Sequence, residues 1–340
     1  MKALLRLLSA HALLLLLSVP LLLSVPSGAA AATQDAYSLP EPYITWEKAY
    51  LADFPQLQPL MDTMIANSVK WLKKPDQDIL HNRICAAIAY HMAVDAKQSK
   101  RAQMLTAAGD ILHNICKDNK DFILTDLANL VRVKDTVARL KKAGYFKDSP
   151  EFFADPDLKV LSKIGTDLSL IHHLSGAVVA GDILRKAGFP EKDVEDIEAA
   201  IISHSTGYWY FRDSVDAAAQ RPGAWKAVFP EPQSLLDKYV HDADLISQFD
   251  RASVSPDGSK WRNLAVKRWG AKSKNDEGHV VYYVFSRLFD EAKTPEGAAM
   301  AKAQWDAIRP DLLILMELPP DADPLKAKGV PPFWSGKAAK

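Results

Sequence analysis

The stretch ILHNICK, residues 111–117, decides how this chain is read. It closes an apolar run, RAQMLTAAGDILHNICK, whose spacing predicts a helix, and it sets His113 beside Asn114 where that helix enters the interior. A histidine and an amide can each be satisfied by hydrogen bonds inside a helical core. Alternatively His113 is a metal ligand, and Asn114 stands where a carboxylate would be expected. The neighbouring segments decide between these readings.

Upstream, DQDILHNRICAAIAYHMA follows Pro75 and places Leu80, Ile84 and Ile88 at helical spacing. His81 and Cys85, four residues apart, share a face beside that stripe. Downstream, DFILTDLANLVRVKDTVARLKKAG predicts a helix closed by Gly144. Residues 145–157 read as loop, and TDLSLIHHLSGAVVAGDILRKAGF returns to helix. Pro190 opens the next helix, EKDVEDIEAAIISHS, with Val194, Ile197 and Ile201 on the inner face and His204 continuing it. HDADLISQFD is another helix, and Thr294-Pro295-Glu296 caps one through Ile308. Only VVYYVF, 280–285, is ambiguous between helix and strand. The fold class is therefore all-α, a single helical domain over residues 76–310.

The flanks differ. Lys2 and Arg6 precede an apolar run from Leu13 to Leu23 and then SGAAAA, the pattern of an export signal over residues 1–32, with Ala30 and Ala32 placing the cut before Thr33. A retained anchor is the alternative, although Pro20 and Pro26 interrupt the run. Residues 33–75 read as an arm and a first helix, irregular as far as Pro55, and 311–340 as a Pro-rich tail. Lys plus Arg and Asp plus Glu are both 42, so no electrostatic case exists for nucleic acid or, once the signal is cleaved, for a membrane surface. Two cysteines, Cys85 and Cys116, permit one disulfide or two buried thiols. There is no Gly-rich phosphate loop, GxSxG elbow or CxxC pair.

Among the histidines after His11, five fall on helices at core-facing or near-core positions: His81, His113, His172, His173 and His204. Together with an aspartate in ADL they form a distributed set of the kind that helical bundles project inward to hold a metal. In order and context the chain resembles the HD superfamily of metal-dependent phosphohydrolases. HNRICAAIA is similar to that family's first-histidine helix, and ILHNICK to its LLHDIGK element with Asn114 for Asp and Cys116 for Gly. HHLSGAVVAGDIL resembles the helix with an auxiliary histidine four residues before a small residue, which favours His172 over His173. AAIISHSTG resembles the next histidine element, HDADLI the terminal aspartate element with Asp244 rather than Asp242 in register, and TPEGAAMAKAQW a closing helix of one bacterial branch.

The resemblance implies an exported metal-dependent phosphohydrolase acting on a small-molecule phosphoester, with one or two divalent ions drawn from Mn, Fe, Co, Ni and Zn. His81, His113 and Asp244 are its implied metal ligands, with Asn114 at the remaining ligand position. His172 and His204 are its implied catalytic residues, binding a second metal or the phosphate and protonating the leaving oxygen. Asn114 is uncharged and cannot bridge two ions as a carboxylate does. Asp110, one turn before His113, is a possible substitute carboxylate, against a solvent-facing or capping role. The alternative function is a non-catalytic HD-like protein that binds metal or a small ligand.

Other groupings remain open in the sequence. His81, Cys85, His113 and Cys116 have the make-up of a closed zinc site. TGYWYFRD and KRWGAKSK have aromatic and basic residues that suit a substrate mouth or packed surface loops, and His91, His241 and His279 read as structural or exposed. The sequence leaves the oligomeric state open.

Overall fold

The computed structural model describes residues 38–149, 164–205, 215–248, 265–266 and 271–324. All fall within one compact unit, Tyr37–Lys340. The export signal, the greater part of the 145–157 loop, TGYWYFRD and the first half of KRWGAKSK lie outside the described residues.

Among the described residues the fold is all-α with no strand. The principal elements are α1 (Tyr43–Asp53), a 3₁₀ turn (Pro55–Leu57), α2 (Gln58–Trp71), α3 (Pro75–Asp95), α4 (Lys100–Leu112), α5 (Leu127–Ala143), α6 (Leu168–Lys186), α7 (Glu191–Ser203), α8 (Trp225–Val228), α9 (Leu235–Ser247), α10 (Lys274–Phe289) and α11 (Pro295–Leu315).

Helix α3 is the central element, packed by α1, α2, α4 and α9. Its inner face is broader than a stripe through Leu80, Ile84 and Ile88 suggests: Ile79 and every residue from Cys85 to Tyr90 are buried, while Leu80 and Ile84 sit at the margin. A helix covered on most sides carries no clean amphipathic period. In α7 the expected face holds, with Val194, Ile197 and Ile201 fully buried. Helix α5 ends at Gly144, whose φ of 106° is the left-handed conformation that a glycine adopts without strain.

Several elements differ from the sequence reading: the helix through ILHNICK ends at Leu112, and the one read from Asp121 begins at Leu127. Residues 43–53 form α1 instead of an irregular arm. Its buried positions are Glu47 and Tyr50, so a charged residue occupies the inner face and hides the apolar period. Arg83 of α3 meets that carboxylate through two bonds, Nε to Oε2 at 2.8 Å and Nη2 to Oε1 at 2.5 Å, which fixes α1 across the bundle. VVYYVF is helical within α10, because Val280, Val281 and Phe285 fill a core shared with α11. Helix α11 runs through Pro310 to Leu315 and does not stop at Ile308. An internal proline costs about 3 kcal/mol, whereas burying Ile308, Leu312 and Leu313 returns about 2 kcal/mol each.

The N-terminus of α11 is held by α9. Thr294 Oγ1 accepts from Gly297 N at 3.0 Å, and the fully buried Asp242 carboxylate accepts from Lys293 N, Thr294 N and Thr294 Oγ1 at 2.7–2.8 Å. A Cβ at position 297 would overlap that carboxylate, so the close approach requires Gly297.

Candidate metal centre

The site forms where α3, the end of α4 and α9 meet, and helix termini prepare two of its groups. His113 is the C-cap of α4, and its Nδ1 lies 2.7 Å from Asp110 O, a carbonyl in the last turn. Such carbonyls lack intrahelical donors, so the ring donates Nδ1–H to it and turns Nε2 outward with a lone pair. His204 repeats the arrangement at the end of α7, with Nδ1 2.6 Å from Ile201 O. One local device thus sets both tautomers.

His81 Nδ1–H is held by another route. Ser247 Oγ donates to Asp244 O at 2.7 Å and so accepts from His81 Nδ1–H at 3.2 Å. The result is a convergence of ligand atoms. His81 Nε2 lies 3.2 Å from His113 Nε2 and 3.2 Å from Asp244 Oδ1, and His113 Nε2 lies 3.9 Å from that same oxygen. Cys85 Sγ sits 3.7–3.8 Å from the His81 ring nitrogens, and ligand atoms of His81, Cys85, His113 and Asp244 all fall within 4.8 Å of one another. This buried cluster could hold a metal ion.

Electrostatics favour the ligand-competent protonation states. Burial, then the neighbouring His204 and His81, push His113 well below the usual imidazole pKa, so its nitrogen stays unprotonated. Burial alone would raise Asp244, but a hydrogen bond from a protonated His81 Nε2 and the charge of that ring, followed by His113 and His204, hold it well below the usual carboxylate range, so an ion bound here would displace the His81 Nε2 proton. Gln248 Nε2 adds a donor to Asp244 Oδ1 at 3.1 Å. Neutral imidazole and ionised carboxylate are the forms that bind a divalent ion.

Asn114 is 4% exposed and turns its amide toward this centre, with Nδ2 2.7 Å from His113 Nε2. An N–H group is a donor and no ligand, so the amide caps the lone pair in the metal-free chain and must turn aside when the ring binds an ion. Asp110 does not replace the missing carboxylate. It is fully buried, contrary to a solvent-facing role, and its Oδ1 lies 3.8 Å from Nδ1 of His113, away from the edge that faces the cluster. Neither of its oxygens has a hydrogen-bond partner among the described residues, and burial, then Asp244, raise its pKa well above the usual value.

His204 and His172 extend the centre on one side, with ring centroids 5.0 Å apart for His113–His204 and 5.2 Å for His172–His204. His173 faces away: its Nε2 donates to Val228 O at 2.6 Å and its ring stacks on Phe229. Gly176, one turn after His172, lets α6 approach the end of α4, since a Cβ there would stand 3.2 Å from His113 O.

The structure brings His81, His113, Asn114 and Asp244 together and lines His204 and His172 beside them. It separates the closed zinc grouping, for Asp244 takes the place given to Cys116. Neither cysteine is in a disulfide and both are buried, with burial pushing the Cys116 thiol up to about 11. His241 and His279 are buried, and His91 stacks on Trp46. Asp242 belongs to the α11 cap, which leaves Asp244 to the site. Sequence reasoning missed Ser247 and Gln248, although their spacing of three and four from Asp244 places them on its helical face. No known protein family, curated protein or solved structure matches the chain.

Proposed function

We propose that the chain is an exported metal-dependent phosphohydrolase of HD type, acting on a small phosphoester. One observation carries this reading: two imidazole nitrogens and an ionised carboxylate point at one spot, each group held there by its own hydrogen bond. A proton or a cation lies between imidazole nitrogens 3.2 Å apart, and a divalent ion there would also meet the Asp244 carboxylate. His81, His113 and Asp244 would hold a divalent ion, which supplies Lewis acidity toward a phosphate oxygen and acidifies water.

The remaining roles fall to neutral histidines. Burial lowers the His204 pKa, so at neutral pH its unprotonated Nε2 would take a proton from the attacking water and give that proton to the departing oxygen. His172, half-buried beside it, orients the phosphate. A second reading, a metal- or ligand-binding protein without turnover, is favoured by Asn114, whose amide offers no negative charge to a second ion. Elemental analysis of purified protein with an assay on aryl phosphate mono- and diesters tests both. Bound metal with hydrolysis abolished by His204→Ala supports the enzyme, bound metal without hydrolysis supports the metal binder, and absence of metal sinks both of these.

A further inference from the structure

We propose that Cys85 is a thiolate ligand, completing a mononuclear site with His81, His113 and Asp244 that selects a thiophilic ion such as zinc over manganese or magnesium. The proposal rests on the metal-holding part of the preceding reading and not on its phosphoesterase part.

The first argument is geometric. Four ligands in a tetrahedron around zinc, at about 2.0–2.1 Å for nitrogen or oxygen and about 2.3 Å for sulfur, lie about 3.3 Å apart for N/O pairs and about 3.6 Å for sulfur against nitrogen. The chain presents edges of 3.2, 3.2 and 3.9 Å among His81 Nε2, His113 Nε2 and Asp244 Oδ1, and 3.8 Å from Cys85 Sγ to His81 Nε2. Cys85 stands one turn from His81 on α3, so one rigid helix sets that edge.

The second argument is charge. Anionic ligands offset the cost of burying a divalent ion, and Asp244 supplies one negative charge. Asn114 supplies none, and the Asp110 carboxylate lies behind His113. In the cluster of possible ligands the remaining group able to become an anion is Cys85, fully buried with its sulfur turned to the histidines. A bound ion deprotonates a coordinating thiol, and the thiol proton passes to solvent as the sulfur–metal bond forms. Two neutral imidazoles, a carboxylate and a thiolate then neutralise a divalent cation. Thiolate favours zinc over the oxygen-preferring ions. A centre closed by four protein ligands has the make-up of a structural or ligand-holding site, and turnover there requires a fifth position.

The experiment is cobalt(II) reconstitution of the purified chain, read by absorption spectroscopy, with zinc and manganese affinities measured in parallel. Wild type should show a thiolate-to-cobalt charge-transfer band in the near ultraviolet and intense tetrahedral visible bands. Cys85→Ser should lose the charge-transfer band and more than about 100-fold in zinc affinity, beyond the usual effect of altering a supporting residue. Its manganese affinity should fall far less. Cys116→Ser, with the same circular dichroism, should keep the band. Cobalt bound without a charge-transfer band in wild type, or with a band that survives in Cys85→Ser, overturns the thiolate. If wild type binds no ion at all, the metal reading falls with it. Should Cys85→Ser fail to fold, Cys85→Ala and the wild-type spectrum alone decide.

Discussion

His81 Nε2 and His113 Nε2 face each other at 3.2 Å, because Ser247 and the Asp110 carbonyl hold the opposite edges of the rings. The two nitrogens lie within hydrogen-bond distance, so one proton can bridge them, and a cation that displaced that proton would bind both rings. His81→Ala and Asp244→Ala should each remove most bound metal, as loss of a direct ligand exceeds the roughly 10- to 100-fold effect of a supporting group. Metal content after dialysis measures this. Full occupancy in both variants would refute the ligand assignment.

Metal removal should also read out as stability. An ion at about 100 times its dissociation constant stabilises the fold by about 2.7 kcal/mol, so a chelator should lower the melting temperature of wild type. The same chelator should leave His81→Ala unmoved. Equal shifts in both proteins would place the ion elsewhere.

His173 predicts a pH dependence with a definite sign. Burial takes its pKa from 6.5 to about 3, so the folded ring stays neutral while the unfolded ring takes up a proton below about 6.5. The unfolded state then binds more protons, and stability falls with falling pH between those values by up to about 1.4 kcal/mol per unit. His173→Gln keeps a donor within reach of Val228 O and does not titrate. The stability difference between variant and wild type, followed by denaturant melts from neutral to acid pH, should grow toward acid in favour of the variant. A constant difference would contradict the buried neutral ring.

Asp110 carries the opposite sign. Its raised folded pKa means that the fold keeps a proton the unfolded chain releases, so its contribution is present at acid pH and lost as pH rises toward the folded value. Asp110→Asn removes that loss and leaves the backbone carbonyl that orients His113. Stability should rise by about 1 kcal/mol or more at neutral and higher pH, with metal affinity within a few-fold of wild type. A large loss of affinity would show that the carboxyl group, and not the carbonyl, supports His113.

These outcomes bear on how much was legible in the sequence. The helical period of α7 ends at His204 because one helix face is apolar and the other charged, and such a face can be counted along the chain. Convergence of His81, His113 and Asp244 could be anticipated only from motif order, since the contact spans 163 positions between His81 and Asp244. The distinction of His172 from His173 lies in which carbonyl waits nearby, and Val228 is 55 residues away from His173. Helix α1 was hidden because Glu47 faces inward to a distant Arg83, so its polarity pattern runs against the period that burial usually writes. The Cys85 spacing was visible, but the sequence left it open as part of a grouping with Cys116 beside the leading set with Asp244, and only the approach of α9 to α3 brings Cys85 and Asp244 together.

The pairing of Asn114 with His113 gives the most discriminating substitution. In the metal-free chain the amide Nδ2 donates to His113 Nε2 at 2.7 Å, so Asn114→Asp exchanges a donor for an anionic oxygen against a lone pair. With Asn114 buried, that exchange should destabilise the metal-free protein by about 1–3 kcal/mol. With metal the sign reverses. The new carboxylate adds a second negative charge beside Asp244, so affinity should rise and a second ion should bind between it and the His204 and His172 side of the centre. Phosphoesterase activity should increase with that second ion. The signature is therefore a melting temperature lower than wild type without metal, a larger rise on adding it, and a stoichiometry moving from one toward two. A lower melting temperature under both conditions with unchanged stoichiometry would mean that Asn114 serves only the packing of the α4 terminus.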